Sequence, residues 1–378
     1  MQVFNLKTPL SYWEIKEWLS NVDYLIIGSG IVGLSCALTL KKNHPKANIL
    51  VLEKGFLPQG ASTKNAGFAC FGSLSELLDD MNQHTESEMA ALVKRRFDGL
   101  QLLRKTLGDK AMDYKCYGGY EYFIKGDPDF FEACLENRKR VNKLLSQHFK
   151  KPVFEMATNK FGFEKVQDHG IKNIYEAQID TGKMMQALLK KAHKNGIKLL
   201  NTTEVVKIED NGENATVHTN YFSINANKVF VATNGFAKEL LQIDEVAPAR
   251  AQVLITKPIE KLHIKGTFHL DMGFYYFRNI HDRILFGGGR NLDFDGETTT
   301  KLGETEKIQQ QLEKYLREII LPNTPFEIEH RWSGIMGMGK TKAPIVKQIS
   351  NNVFCGVRLG GMGIAIGSQV GKELAQLL

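Results

Sequence analysis

Residues 23–55 read DYLIIGSGIVGLSCALTLKKNHPKANILVLEKG, and no other stretch restricts the fold of this 378-residue chain as tightly. An apolar run (Tyr24–Ile27) meets glycines at 28, 30 and 33, a helix is expected to about Lys42, and a second apolar run (Ile49–Leu52) ends on Glu53. The pattern predicts a strand–helix–strand unit. Each glycine has its own physical duty: one makes the tight turn, one lets backbone approach a pyrophosphate, and one lets helix and strand pack closely. The helix N-terminus then offers free N–H groups and a positive dipole end to the phosphates. Glu53, twenty residues after Gly33, stands where a carboxylate can accept both hydroxyls of an adenosine ribose. Strand, turn, helix, second strand and acid together predict dinucleotide binding. A purely structural glycine turn would leave Glu53 unexplained.

A nicotinamide-binding chain usually continues into further strand–helix repeats. This one enters GASTKNAGFACFGS (60–73), where nearly every side chain is tiny. Such a run could be a linker, a cramped turn or a loop lying flat against a ligand; after a dinucleotide unit it points to a flavin ring, and so to FAD rather than NAD. Cys70 is expected to serve packing rather than redox chemistry, and Lys64 to reach a flavin edge or solvent.

Upstream, 10–20 is expected to be a short helix packing Trp13, Ile15 and Trp18. Helical periodicity recurs at 74–110, 129–149 and 303–319, and 116–126 alternates like a strand. The segment 177–209 reads helix, glycine turn, strand; further strands are expected at 214–219, 228–233 and within 250–290, then strand VFCGV, a glycine loop and a helix from about Ile366. This order implies an α/β protein of two interleaved domains. One domain is expected to be assembled from three segments, 1–75, 170–245 and 335–378, and the other from 76–169 and 246–334.

The net charge of +7 is spread along the chain without a block of basic residues, which argues against a nucleic-acid tail. Five cysteines form no CxxC pair and no cluster with histidine, so reduced thiols and no metal are expected. The uncharged stretch Tyr24–Leu40 is short for a membrane span of about 20 residues. The N-terminus lacks a basic start followed by an apolar core, so a cytoplasmic protein without a signal peptide is expected.

IIGSGIVGLSCAL with VLEKG, GASTKNAGF, VFVATNGF, RILFGGG, RWSGIMG and GVRLGGMGIAIGSQVG, in this order, resemble the D-amino acid oxidase-like family of FAD-dependent oxidoreductases, the group with glycine oxidase, sarcosine oxidase and glutamylputrescine oxidase. The resemblance runs through most of the chain and implies an α/β fold in which a Rossmann-type FAD-binding domain takes the three segments and an α+β substrate domain built on an antiparallel sheet takes the other two. It implies that Gly28, Ser29, Gly30 and Gly33 hold the pyrophosphate, with Glu53 and Lys54 near ribose and adenine. Ala61, Ser62, Asn65, Ala66 and Gly67 would pass along pyrophosphate and flavin, and Val205 and Val206 would flank the adenine. Thr233, Asn234 and Gly235 would close the groove. Gly360, Gly361, Met362 and Gly363 would bring backbone N–H groups to the flavin N1/O2 edge, where charge develops on reduction. The FAD would be non-covalent, since no cysteine lies in 331–345. The implied chemistry is dehydrogenation of a small amine or amino acid: hydride passes to flavin N5, the imine hydrolyses, and O2 or another acceptor takes the electrons. It needs no side-chain base if the amine arrives neutral, so no catalytic residue is assigned.

Two departures stand out. Amino-acid-binding relatives often carry an arginine shortly after a Trp/Tyr-x-Gly signal; here Met336 takes that place, which puts a standard carboxylate clamp in question and leaves Arg278 or Arg290 as substitutes, each equally open to a surface or structural role. Leu285 stands where sarcosine oxidase-like members have a lysine assisting the oxygen reaction. The pocket candidates are Tyr275 or Tyr276 (on opposite faces of a strand), Arg278, and Met336, which with Met338 would form an apolar wall on a loop. His269, His281 and His330 are expected to be structural or exposed. Two other readings stay open: a flavin domain acting on an aminomethyl modification of tRNA, and a non-catalytic flavoprotein.

Overall fold

The computed structural model describes residues 10–126 and 128–378. The first nine residues, where the expected dinucleotide segment and the stretch read for a signal peptide both begin, lie outside the described residues. The chain enters through α1 (Tyr12–Glu14) and runs on as a π-helical turn over Ile15–Leu19. Trp13 and Trp18 are 64% and 46% exposed, so they do not pack under the first strand as expected. A single α turn followed by a wider π turn breaks the 3.6-residue stripe, and only Leu19 is buried.

β1 (Val22–Ile27) and β2 (Ile49–Leu52) pair in parallel and are joined by α2 (Ile31–Asn43), as the glycine spacing requires. Gly28 has φ +103°, and a Cβ on Gly33 would stand 1.9 Å from the Gly28 carbonyl oxygen. No side chain fits there. β8 (Lys198–Leu200) lies beyond β2, and β11 (Ser223–Val231), β18 (Val353–Val357) and β17 (Ile345–Gln348) extend the sheet from β1 the other way. These strands are parallel apart from β17, while β9 (Val205–Asp210) and β10 (Ala215–Thr219) form an antiparallel extension of β11. Three distant stretches of chain thus build one sheet. α2, α6 (Thr181–Lys194) and α9 (Gly363–Ala375) share one core cluster on it, with α4 (Glu86–Leu107) against α9. α9 begins earlier than the Ile366 expected.

The second sheet has the order β16-β12-β15-β14-β13-β4-β6-β5. Its strands are β4 (Gly119–Glu121), β5 (Phe154–Thr158), β6 (His169–Asn173), β12 (Ala247–Thr256), β13 (Thr267–Leu270), β14 (Tyr275–Ile280), β15 (Arg283–Gly288) and β16 (Ile328–Met338). Pairing is antiparallel except between β13 and β4. β16 contains RWSGIMG, so Met336 and Met338 stand on a strand, not on the loop expected for them. Its pairing with β12 along nearly its whole length overrides the low strand propensity of its glycines. β4 is also much shorter than the alternation over 116–126 suggested.

Strand alternation gives this sheet two unlike faces. Tyr120, Phe268, Tyr275, Phe277 and Phe286 point one way, into a core with Ile308 and Leu312 of α8 (Glu306–Tyr315). The other face carries Met336, Gly334 and Trp332, then Val253, Gly287, Tyr276, His269 and Glu121 in register across the strands. This row of small and polar residues faces the first sheet. The short pair β3 (Phe68–Ala69) and β7 (Ala177–Gln178) lies between the layers. Among the described residues no helix is long and apolar enough to cross a membrane. Gly33→Ala is expected to destabilise the chain by about 3 kcal/mol through forced separation of α2 from the β1 turn, measurable as a lowered urea midpoint.

Candidate active site

A cavity of about 620 Å³ runs between the two layers. Gly28, Gly30, Glu53, Lys54, Ala61, Ser62, Asn65, Ala66, Gly67, Val205, Val206, Thr233, Asn234, Gly360, Gly361, Met362 and Gly363 all line it, and so do Tyr276 and Met336. Several residues singled out from the sequence do not, Met338 and Arg290 among them. Gly33 and Gly235 are filled by close backbone: a Cβ on Gly235 would lie 2.3 Å from the Met336 carbonyl oxygen. Ser29 is turned to Glu53. Tyr275 belongs to the opposite face of the sheet, against Tyr315. Arg278 is engaged behind the cavity wall, as described below.

At one end the walls suit an anion. α3 (Leu74–Asp80) and α4 have capping boxes and α6 is capped by Asp180, whereas α2 and α9, whose first residues line the cavity, have no side-chain cap. Apart from Ile31 N, which donates to the Ser62 hydroxyl, their first-turn N–H groups and dipoles are open to a phosphate or a developing oxyanion. The Ser62 hydroxyl accepts from Ile31 N (3.0 Å), and the buried Thr233 hydroxyl has no partner. Glu53 accepts from Ser29 N (3.1 Å), Ser29 Oγ (2.9 Å), Gly55 N (3.0 Å) and Gln59 N (3.2 Å). Its acceptor sites are therefore filled, and a ribose hydroxyl gains access only when the Ser29 hydroxyl rotates away. Lys54 lies 3.5 Å over the Phe236 ring, and burial lowers its pKa.

The small-residue loop forms the middle of the wall. Asn65 donates to Ala61 O (3.1 Å) and Ser62 O (3.0 Å) and accepts from Gly67 N (2.9 Å) and Thr181 Oγ1 (2.8 Å). Both donors and both acceptor sites are thus used inside the protein, which makes Asn65 a shaper of the loop. Trp332 Nε1 donates to Lys64 O (2.9 Å). Arg278, 5% exposed, donates to the carbonyls of Ala66, Ile179 (2.9 Å) and Asn279 (3.2 Å), and a Cβ on Gly67 would lie 2.5 Å from its Nη2. Burial pushes its pKa down to about 10. A guanidinium spent on backbone carbonyls cannot also grip a substrate in the cavity. Arg290 lies against Phe294 and lines neither cavity. Leu285 lines a second cavity of about 440 Å³ behind the loop, with Arg278 and Gln178.

The far end of the first cavity holds Phe68, Cys70, Glu76, His269 and Tyr276. Phe68 meets both His269 and Tyr276 edge to face. Burial raises the Tyr276 phenol to about 12, so it remains a donor. Burial also pushes the Cys70 thiol well up, reinforced by Glu176 and Glu76, which leaves it an unreactive thiol. His269 Nε2 is 2.6 Å from Glu176 Oε1, which also accepts from Thr267 Oγ1 (2.7 Å). Burial works against the imidazolium, yet Glu176 outweighs it, aided by Glu76 and Glu121, and raises His269 to about 9. His269, expected to be structural or exposed, is buried, paired with Glu176 and part of the cavity wall. Polar Thr267 and His269 alternating with apolar Phe268 and Leu270 were the signal for it. His330, by contrast, is exposed and stacks on Trp332, and His281 lines the second cavity.

The model of the DAO family of FAD-dependent oxidoreductases matches residues 23–377, and the chain belongs to that family. It is 22% identical to the probable oxidoreductase OrdL of Rhizobium meliloti over 94% of this chain and 82% of the relative. It is also 22% identical to the gamma-glutamylputrescine oxidoreductase of Escherichia coli, over 94% and 83%. Its fold matches L-proline dehydrogenase of P. horikoshii (TM-score 0.73, 21% identity, 94% and 93% covered). Glycine oxidase of Geobacillus kaustophilus is similar in the same way (TM-score 0.74, 17% identity, 94% of each chain). The chain is thus an FAD-dependent oxidoreductase.

The His269–Glu176 pair carries a pH signature. The histidine's folded pKa lies above its ordinary value, so its stabilising contribution is complete below about pH 6.5 and is lost as the pH rises through about 9. Urea unfolding at about pH 6 and about pH 10 is expected to show the native chain losing more stability across that window than His269→Gln.

Proposed function

We propose that the cavity takes one FAD lengthwise and that the chain oxidises a C–N bond of a small amine or amino acid. The observation that carries this reading is the polarity of the one cavity: two uncapped helix ends and Glu53 along one part, and an aromatic pocket with Tyr276 and His269 at the other end. Thr233, with its orphaned hydroxyl, and the bare backbone at Gly361 fit such a ligand. Bound there, FAD would take a hydride from the C–H beside the amine nitrogen, and the resulting imine would hydrolyse in water.

In this reading Gly28, Gly30, Ser62 and the start of α2 hold the pyrophosphate, and Glu53, Lys54, Val205 and Val206 take the adenosine. Gly360, Gly361, Met362 and Gly363 present N–H groups to the flavin's pyrimidine edge. Ser29 yields its place on Glu53 to a ribose hydroxyl. Ala61, Asn65, Ala66 and Gly67 hold the ring flat, and Thr233 and Asn234 close the groove. Phe68 and Tyr276 exclude water and orient the substrate, so catalysis rests on position and desolvation. The first sheet would be the FAD domain and the second the substrate domain. Relatives named for gamma-glutamylputrescine and sarcosine support an amine or amino acid as substrate. Either O2 or another acceptor reoxidises the flavin, and the cytoplasm is the compartment we propose.

The test is anaerobic. Purified protein with its flavin band near about 450 nm is mixed with a panel of amines and of N-methyl and ordinary amino acids. Bleaching by at least one small amine is expected. A flavin that none of them bleaches would contradict the proposal.

A further inference from the structure

We propose that His269, paired with Glu176 and set beside Tyr276, is the group that binds a carboxylate of the substrate, so that the enzyme prefers amino acids to amines without a carboxylate. The inference rests on the proposed function and narrows its substrate class.

The residues that would ordinarily take a carboxylate are out of play. Met336 offers no donor, Arg278 spends its guanidinium on the carbonyls of Ala66, Ile179 and Asn279, and Arg290 lines neither cavity. Among the described residues the cationic side chains lining the first cavity are Lys54, Lys64 and His269. Lys54 lies over Phe236 beside the adenosine end, and Lys64 sits on the loop against Gly334. His269 alone stands with Phe68 and Tyr276 at the far end.

Its chemistry suits the task. His269 and Tyr276 are directly opposite on adjacent strands, so an imidazole N–H and a phenol O–H are presented side by side on one face. Nε2 is committed to Glu176, which fixes the ring and makes Nδ1 the nitrogen that a ligand would meet. Glu176 is itself fully buried and held by Thr267, so the pair is a rigid part of the sheet. A carboxylate accepting from both donors makes a charge-assisted hydrogen bond, shorter and stronger than a neutral one. Three carboxylates stand near His269: its partner Glu176, Glu121 opposite it on β4 and held by Ser73 Oγ (3.0 Å) and Ser75 N (3.2 Å), and Glu76 in the cavity wall, one of whose oxygens is taken by Ser73 N (2.9 Å); the charge of Glu76 favours substrates that carry an amino group beside the carboxylate.

The probe is acetate, with acetamide as its uncharged counterpart, titrated into the flavin-loaded protein while the flavin absorption is followed. Acetate is expected to perturb the spectrum with saturation and acetamide to do so only weakly. In His269→Gln, which keeps a donor but no charge, acetate should weaken about tenfold or more and the preference over acetamide should vanish. In the unaltered protein labelled with ¹⁵N-histidine, the His269 ring resonances should shift as acetate saturates, which keeps the test open should the variant fail to fold. Acetate affinity unchanged in His269→Gln, an unmoved His269 resonance, or loss of acetate binding in Lys64→Gln instead would each overturn the assignment. Failure of the proposed function reads differently: no small amine bleaches the flavin, whatever acetate does.

Discussion

The structure turns on how one loop is held. Residues 60–67 have almost no side-chain bulk, so their path is set by what grips their backbone. Arg278 and Trp332 reach from the second sheet to the carbonyls of Ala66 and Lys64, Thr181 of α6 bonds Asn65, and Ser62 meets the first turn of α2. Both layers therefore close on the same few residues, and the spacing between the sheets, hence the width of the cavity, follows from these contacts. Gly67 is required because Arg278 lies where any Cβ would be. A buried guanidinium without a carboxylate at ion-pair distance is costly, and hydrogen bonds to three carbonyls offset that cost while keeping the charge off the cavity.

That arrangement frees the cavity's far end for a different kind of cation. Arginine is long and carries a forked guanidinium, whereas a histidine ring held by Glu176 is flat and fits within the sheet's row of small and polar residues. The row Gly287, Tyr276, His269, Glu121 exists because strand alternation sends every second residue toward the first layer. The opposite face is given over to the aromatic core around Phe268 and Phe277, which makes the polar row rigid.

Much of the dinucleotide half was legible in the sequence, because its demands are local. Gly28, Gly33 and Glu53 answer to constraints within one strand–helix–strand unit, and the spacing alone places them. The second layer was less so. RWSGIMG reads as a turn because its glycines have low strand propensity, yet long-range pairing with β12 makes it a strand. Arg278 read equally as a substrate ligand and as a structural residue, because its carbonyl partners lie far away in sequence. His269 looked structural because its partner Glu176 lies 93 residues away. Trp13 and Trp18 looked like core residues because hydrophobicity was read without the π turn that directs them outward.

The central claim is that both layers together enclose one whole FAD. The most direct measurement is titration of protein freed of flavin with FAD and, separately, with FMN, followed by flavin fluorescence. Saturation at one FAD per chain is expected, with FMN far weaker because it lacks the adenosine assigned to Glu53, Lys54 and Val205. Equal affinity for FMN, or no saturable FAD binding, would contradict a cavity built for the complete dinucleotide.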